Sequence, residues 1–460
     1  MKEIPIENKS KHFYIENISL LFFLLCFTMP YVRVGLDGLV WAKEYQENPT
    51  GLPRIIELAV LLLLFLQILI GKITITKFLT MLNNDKIFLI LFVVSFYVLL
   101  QPFFLDFFSF VISPTSKGVI RGNLIMPMIA YIVGRHYNLT EKGIRIFFAG
   151  LLLAGTLQAI AILYPAIFPD YMIYGYSEKQ PLWIFQGPIG EVERRAGFWD
   201  LSTQAATFMS IIMCLSIAAL FYFKAKQIKL LMFCILALSI IALSSTLQRI
   251  QFIAISFIVL YVIFKKVGTL KTNRRKQYLL KFLVFSSFIF VNILYPYIFV
   301  SRLSSIYHSF YQDYRVQVVW PSYIEFIFRE PSVLLFGSGY TGDALSDIGT
   351  PLHLAHAHNQ FLGWLAGIGL FMTMLFVCMF FIYYQKAKIA TSSNYLNDYE
   401  KMMSYFAKLV LMTIFVICLA ESPLLQEPIS ILVFFVGGIV TSMYKSHLFK
   451  QIHMKGASAH

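Results

Sequence analysis

The chain has 460 residues, of which 58% are hydrophobic and 13% are charged, and its net charge is +14. Soluble domains are about 45–50% apolar and about 25% charged, so the composition excludes an ordinary soluble protein. The positive charge is spread over short segments between apolar runs, which argues against a nucleic-acid-binding protein and for a polytopic membrane protein.

Apolar stretches of about 20 residues predict transmembrane helices. The whole chain, 1–460, is therefore interpreted as a single integral membrane domain with an all-α fold. We predict twelve spans, at 17–36, 55–71, 86–104, 117–134, 145–165, 202–223, 228–247, 250–264, 280–300, 359–385, 402–420 and 428–444.

Lysine and arginine occur mainly in alternate segments between these spans. Placing the N-terminus in the cytoplasm puts most of the 38 Lys and Arg residues on the cytoplasmic side, as the positive-inside rule requires. Both termini are then cytoplasmic. The first span lacks a small-residue cleavage site, which predicts an uncleaved anchor. All five cysteines fall within predicted spans, so neither disulfides nor a thiolate metal site is expected.

Two outer segments are long: a first loop at 166–201 and a larger one at 301–357, between the ninth and tenth spans. In the larger loop, apolar residues from Tyr314 to Phe328 recur with a helical period, and Arg329-Glu330-Pro331 ends that pattern. A glycine-rich turn, Gly337-Ser338-Gly339, follows. The loop is therefore predicted to be partly helical, with a turn that lets backbone approach a ligand closely.

The five tryptophans all lie at or near the predicted outer face. An interfacial aromatic belt explains this distribution without any function. A second interpretation is that Trp183, Trp199 or Trp320 offers an apolar face to a sugar ring. The sequence leaves both interpretations open.

Polar residues that could carry chemistry collect on the outer side, where Arg195, Arg249 and Arg315 are joined by His358. Arginine presents a rigid fork of donors that suits phosphate oxygens, so three of them could clamp a pyrophosphate. For each arginine alone, the alternative is a charge that snorkels to the interface. The sequence does not separate Arg194 from Arg195.

His358 lies in the string His356-Ala357-His358-Asn359, where the large loop meets the tenth span. A neutral imidazole can deprotonate an attacking hydroxyl, whereas the alternative is a structural or helix-capping histidine. The close spacing of His353, His356 and His358 could also suit a metal. No acidic cluster completes such a site, so no metal is predicted.

These residues resemble the O-antigen ligase and O-antigen/capsule polymerase superfamily over about 185–375. His358-Asn359, nine residues and then Gly369 are similar to the ligases' H-[NSQ]-x9-G. The segment from Arg315 through Trp320 and Pro331 to Gly337-Ser338-Gly339 looks like the family's R…W…P-x-x-x-x-G-x-G.

Two further elements add to the resemblance. Arg249 looks like the family's inter-helix turn, and Arg195-Ala196-Gly197 looks like its R-x-G segment before a span. The chain departs from the family where Trp199-Asp200 replaces an Asn-Pro, and where Leu247-Gln248 separates Arg249 from the Ser/Thr residues.

The resemblance implies a metal-independent glycosyltransferase without cofactors, at the periplasmic face of the bacterial inner membrane. Donor and acceptor would be polyprenyl-pyrophosphate-linked glycans, and a chain-length regulator is an implied protein partner. His358 would be the base and Arg195, Arg249 and Arg315 the pyrophosphate clamp. Candidate contacts to sugar or loop are Arg194, Trp199, Trp320, Tyr340, His356 and Asn359.

Among these functions, polymerisation of repeat units into O-antigen or a related surface polysaccharide is favoured. A ligase that transfers the glycan to lipid A core shares the motifs and is the first alternative. A flippase or transporter without chemistry is the second. It predicts functional charges at mid-membrane, whereas the polar groups of this chain collect at the outer face.

Overall fold

The protein is described by a computed structural model. It covers residues 6–30, 33–35, 38–40, 54–107, 120–137, 140–167, 185–187, 190–192, 197–199, 201–246, 248–268, 278, 315–339 and 357–457.

The described chain is a bundle of α-helices, as the apolar runs predict. Eight of its helices are long and apolar enough to cross a membrane, so the protein is a multi-pass helical membrane protein. The count of twelve stays a prediction, and the predicted span at 280–300 lies outside the described residues. The long helices are α1 (Ile6–Leu25), α2 (Ile55–Leu69), α4 (Lys86–Phe107), α6 (Glu141–Ile167), α7 (Ser202–Tyr222), α8 (Lys226–Thr246), α9 (Arg249–Gly268), α12 (Gln360–Thr391), α13 (Asp398–Cys418) and α14 (Glu427–Ala457).

Shorter elements join these helices. A π-helical turn, Arg121–Ile125, leads into α5, and another, Arg315–Val319, leads into α10. Two hairpins, each built of three-residue antiparallel strands, are the described β-structure. The short elements are α3 (Ile75–Asn84), α5 (Met126–His136), α10 (Trp320–Arg329), α11 (Pro331–Phe336), the 3-10 turn Pro423–Leu425, β1 (Arg33–Gly35), β2 (Gly38–Val40), β3 (Phe185–Gly187) and β4 (Gly190–Val192).

The bundle has a buried centre and a lipid-facing rim. The span of α7 is 83% buried and those of α13 and α14 are each 78% buried, whereas α8 is 22% buried. Because lipid tails are as apolar as leucine, membrane helices associate through close packing rather than water exclusion. The crossing of α5 and α14 illustrates this: a Cβ on Gly134 would lie 2.1 Å from the carbonyl oxygen of Phe435.

Contacts between α4 and α12 define the two ends of the bundle. Asp85, just before α4, accepts a hydrogen bond from Lys386 late in α12. At the other end of α4, Gln101 bonds the carbonyl oxygen of Gly367, early in α12. Asp85 and Gln101 are 16 positions apart, about 24 Å along a helix. We call the end of the bundle near Asp85 the Asp85 end. We call the opposite end, where α13 ends and α14 begins, the Glu421 end.

The larger loop folds at the Glu421 end as its sequence pattern predicts. The helix α10 ends at Arg329, and Pro331 begins α11. Val319, Tyr323 and Ile327 are buried against the first turns of α12, in a small apolar core separate from that of the bundle. The described part of this loop is therefore helical and packed.

Candidate active site

One buried carboxylate joins two of the predicted site residues. Glu421 lies after α13, in the turn that leads to α14, and its side chain is 7% exposed. Arg315 Nη1 donates to Glu421 Oε1 at 2.9 Å, and His358 Nδ1 lies 3.4 Å from Glu421 Oε2. The structure thus brings the predicted base and one predicted clamp residue onto the two oxygens of one acid.

The backbone around His358 is held in an uncommon conformation. Its φ is +47°, and among the described residues it is the one non-glycine with a positive φ. Such a conformation costs about 1–3 kcal/mol and persists only when neighbouring contacts fix it. Trp320 Nε1 donates to the carbonyl oxygen of Ala357 at 2.9 Å, and Asn359 Nδ2 donates to that of Leu419 at 2.9 Å. Both residues that flank His358 are therefore anchored.

Asn359 also starts the tenth predicted span. Its Oδ1 accepts from the backbone nitrogens of Phe361 and Leu362 at 3.0 and 3.2 Å, which makes it the N-cap of α12. Asn359 and Trp320 were predicted as contacts to sugar or loop. In the structure both make contacts that hold the loop.

The nine-residue spacing between Asn359 and Gly369 has a structural explanation. Residues 360–368 form a short helix that Asn359 caps, and the helical conformation breaks at Gly369, where φ is +76° and ψ is 175°. Few residues other than glycine adopt that combination. The long helix α12 is therefore two helical segments joined at Gly369, and the first segment carries His358 at its start.

The two glycine motifs contact each other. A Cβ on Gly369 would lie 2.3 Å from the carbonyl oxygen of Leu335, and one on Gly337 would lie 2.3 Å from that of Gly367. The backbone nitrogen of Ser338 donates to the carbonyl oxygen of Ala366 at 2.8 Å. The glycine-rich turn after α11 is therefore bonded to the helical break in α12, and only glycine allows this approach.

The turn that contains Arg249 lies at the same end. Thr246 ends α8 and Arg249 begins α9, as predicted. Lys408 Nζ in α13 lies 5.0 Å from the ring centroid of Tyr261 in α9. Since α9 and α13 are antiparallel, Arg249 is about level with residue 420, by the rise of about 1.5 Å per residue. The backbone of Arg249 therefore lies at about the level of Glu421. The structure describes only the backbone of Arg249.

The segment after Arg195 leads to this end as well. The backbone nitrogen of Phe198 donates to Gln158 Oε1 at 3.2 Å. Gln248, next to Arg249, donates to the hydroxyl of Ser202 at 2.8 Å, at the start of α7. The turn that contains Arg249 is thus bonded to the start of α7, the helix that follows the Arg195 segment. Arg194 and Arg195 themselves lie outside the described residues, as do Tyr340, His353 and His356.

Trp199 does not offer an open face in this structure. Its ring is 1% exposed, stacks on Phe208 with centroids 5.0 Å apart, and donates from Nε1 to the carbonyl oxygen of Phe27 at 3.1 Å. A sugar contact requires an accessible ring. The geometry instead makes Trp199 a core residue that ties the end of the first loop to α1 and α7.

Glu421 is the site residue that the sequence did not reveal. Burial alone would raise its pKa, but the hydrogen bond with His358 and the positive charge of Arg315 outweigh burial and lower the pKa of Glu421 below its usual 4.5. The acid is therefore ionised at neutral pH. The available signal was its position, since a carboxylate between two apolar spans is costly unless it is paired.

Among the described residues, no group of three His, Cys, Asp or Glu side chains lies close enough to hold a metal ion.

The chain matches no protein-family model and no curated protein.

Proposed function

We propose that this protein is a membrane glycosyltransferase that polymerises polyprenyl-pyrophosphate-linked oligosaccharide repeat units into O-antigen or a related surface polysaccharide. The observation that carries the proposal is the contact of His358 and Arg315 with one buried carboxylate. An imidazole beside a carboxylate and a guanidinium at the same point is a set suited to general-base transfer from an anionic leaving group.

His358 acts as the base in this proposal. It takes the proton of a sugar hydroxyl on the acceptor, and the oxygen forms a bond to the anomeric carbon of the donor glycan. The bond from that carbon to the pyrophosphate oxygen breaks, and polyprenyl pyrophosphate leaves with the electron pair. Because pyrophosphate is a good leaving group, the reaction needs little acid assistance.

Arginine stabilises the charge that develops on the leaving pyrophosphate. A guanidinium stays charged at all working pH values and donates through five N–H groups. Arg315 is 32% exposed at the site, and the described bonds to Glu421 and Ala420 both use Nη1. Arg195 and Arg249 complete the clamp in this proposal, which therefore uses arginine charge rather than a metal ion.

We further propose that the Glu421 end faces the periplasm of a bacterial inner membrane. The distribution of charge supports this orientation. The Asp85 end carries Lys86, Arg135, Lys386 and Lys445. An end rich in Lys and Arg agrees with a cytoplasmic position under the positive-inside rule, which leaves the Glu421 end on the opposite side.

The test uses the purified full-length chain in detergent with a lipid-linked repeat unit as the only glycan. A ladder of polymers on a gel, with release of polyprenyl pyrophosphate, is the expected result. Transfer only after lipid A core is added would make the protein a ligase. Movement of the lipid-linked unit across vesicles without any pyrophosphate release would overturn the enzyme proposal in favour of a transporter.

A further inference from the structure

Glu421 occupies a position where an acid is costly. It lies in the short connection between two buried helices, α13 and α14, and its side chain is 7% exposed. Removing a carboxylate from water costs several kcal/mol, and only well-placed partners compensate for it. The sequence therefore retains this acid against an energetic penalty, which its two partners at the site offset.

The partners divide the two carboxylate oxygens between them. Oε1 accepts from Arg315 and Oε2 faces Nδ1 of His358. The separation of 3.4 Å between His358 Nδ1 and Glu421 Oε2 is at the long end for a hydrogen bond. His358 and Arg315 are the charged or titratable partners that contact Glu421 through these bonds.

We infer that Glu421 is a positioning residue that keeps the hydrogen of the His358 imidazole on Nδ1, so that Nε2 takes the proton of the acceptor hydroxyl. The inference rests on the function proposed above. A carboxylate that faces one ring nitrogen selects the tautomer with hydrogen on that nitrogen and stabilises the imidazolium that forms.

Glu421 orients the side-chain ring of His358, whereas other contacts hold its backbone. The bonds from Trp320 to Ala357 and from Asn359 to Leu419 fix the backbone on both sides of the histidine. Rotation about the side-chain bonds would still carry Nδ1 away from the carboxylate. Glu421 thus supplies a restraint that the loop contacts do not.

Arg315 decides where the proton stays. A carboxylate beside an imidazolium could itself take the proton. The hydrogen bond with His358 and then the guanidinium at 2.9 Å favour the ionised acid, and together they lower the pKa of Glu421 against the effect of burial. The proton from the acceptor hydroxyl therefore remains on His358, from which it can pass to solvent.

The test compares Glu421→Gln with a matched control, Glu427→Gln. Both acids are buried, both pair with an arginine, and they lie six positions apart, Glu421 in the turn after α13 and Glu427 at the first position of α14. Glu427 pairs with Arg54 rather than with a histidine. The same substitution therefore replaces a buried carboxyl group in both variants but changes the surroundings of His358 in only one.

The first measurement does not depend on activity. Diethyl pyrocarbonate modifies neutral imidazole, so its rate of reaction at His358, located by fragment-ion mass spectrometry, reports how the surroundings of that ring stabilise the unreactive imidazolium. Loss of the neighbouring negative charge should raise this rate at neutral pH in Glu421→Gln, because a neutral amide stabilises an imidazolium less than a carboxylate does. Glu427→Gln should leave the rate unchanged.

The second measurement is the pH profile of chain extension. In Glu421→Gln the profile should differ in shape from that of Glu427→Gln, and kcat at neutral pH should fall about tenfold or more. Equal rates of modification at His358 in the two variants would overturn the inference, whatever the rates of chain extension. If the wild type shows no transfer at all, the proposed function fails, while the modification experiment still decides the role of Glu421.

Discussion

The protein buries a charged cluster at each end of its bundle, and the two clusters differ in what surrounds the acid. At one end, Asp85 is fully buried and its partners Arg135 and Lys386 are 12% and 14% exposed. At the other, Glu421 is 7% exposed, whereas Arg315 and His358 are 32% and 38% exposed. The first cluster is closed, and the second opens on the side of its cations.

The contacts of Asp85 show what a closed cluster does. Tyr131 donates to Asp85 at 2.9 Å and also to Thr441 at 3.1 Å. The acid thereby links α4, α5, α12 and α14 into one network. Every partner is itself packed in the bundle, so nothing in this arrangement requires a ligand.

The Glu421 cluster links elements too, but it holds groups that reach solvent. An imidazole and a guanidinium at about one third exposure are accessible to a ligand, and the strained backbone at His358 accompanies them. Strain of this kind collects at functional sites. A buried acid alone therefore does not distinguish the candidate site from the closed cluster. The exposure of the acid's partners distinguishes them.

The largest expected effect on chain extension comes from replacing a histidine at each end of the bundle. His358→Asn keeps a residue that tolerates a positive φ but removes the base, so chain extension should fall about 10²- to 10⁴-fold. His447 lies at the Asp85 end, bonded to Ser393 at 2.7 Å, and His447→Asn is the matched control. Extension by both variants is measured from gel ladders. An unaltered rate in His358→Asn would show that His358 is not the base.

The next effect is on stability. Asp85→Asn leaves Arg135 and Lys386 buried without a countercharge, which costs about 3–5 kcal/mol. Glu421→Gln leaves partners that water screens, so its thermal unfolding temperature should fall less. Unfolding in detergent measures both. The rate of chain extension per folded molecule should remain normal in Asp85→Asn. A larger fall in unfolding temperature for Glu421→Gln than for Asp85→Asn would contradict this difference between the two clusters.

The pH dependence of the same variants sharpens this prediction. Burial alone would raise the pKa of Asp85, but Lys386, the hydrogen bond from Tyr131 and Arg135 lower it below its usual 3.8. A lowered pKa gives stability that is fully present above the unfolded value and lost as pH falls through the folded one. Wild type and Asp85→Asn should therefore differ by a constant amount above pH 3.8 and converge below it.

Sequence pattern correctly predicted an all-α, multi-pass membrane protein, because a run of about twenty apolar residues in a membrane satisfies its backbone as a helix. It also predicted the residues around His358 as a site. It missed Glu421 because the acid sits between two spans without a neighbour in sequence that shares its role. Its partners lie 106 and 63 positions away. The packing of α12 against α13 brings His358 to Glu421, and the folding of the larger loop brings Arg315 there.

The same limit explains Trp199 and Gly369. A tryptophan near the predicted membrane surface reads equally as a sugar contact and as a core residue, and burial decides between them. For Gly369, the sequence supplied the spacing from His358 but not its reason. The reason is the contact with the carbonyl oxygen of Leu335, in a segment that the sequence separates from it by a loop.

A smaller effect tests that contact. Gly369→Ala would place a methyl group 2.3 Å from the carbonyl oxygen of Leu335, whereas Gly71 also has a positive φ but has nothing within 4 Å of the added carbon. Each substitution carries a conformational cost of about 1–3 kcal/mol, and only Gly369→Ala adds the clash. We expect both to lower the unfolding temperature and Gly369→Ala alone to reduce chain extension. Equal activity in the two variants would mean that the glycine contact does not position His358.

The smallest effect concerns Trp199, which belongs to the closed part of the molecule by its burial although the sequence groups it with the site. Trp199→Phe keeps a ring against Phe208, loses the hydrogen bond to Phe27, which contributes about 1 kcal/mol, and leaves a small cavity where the larger indole was buried. The unfolding temperature should drop slightly, and KM for the lipid-linked glycan should stay the same. A sugar contact predicts the reverse pattern, a raised KM at unchanged stability, because a stacked tryptophan would lose area on the substrate rather than in the core. The ratio of the two changes therefore assigns Trp199 to the packing of the bundle or to the binding of the glycan.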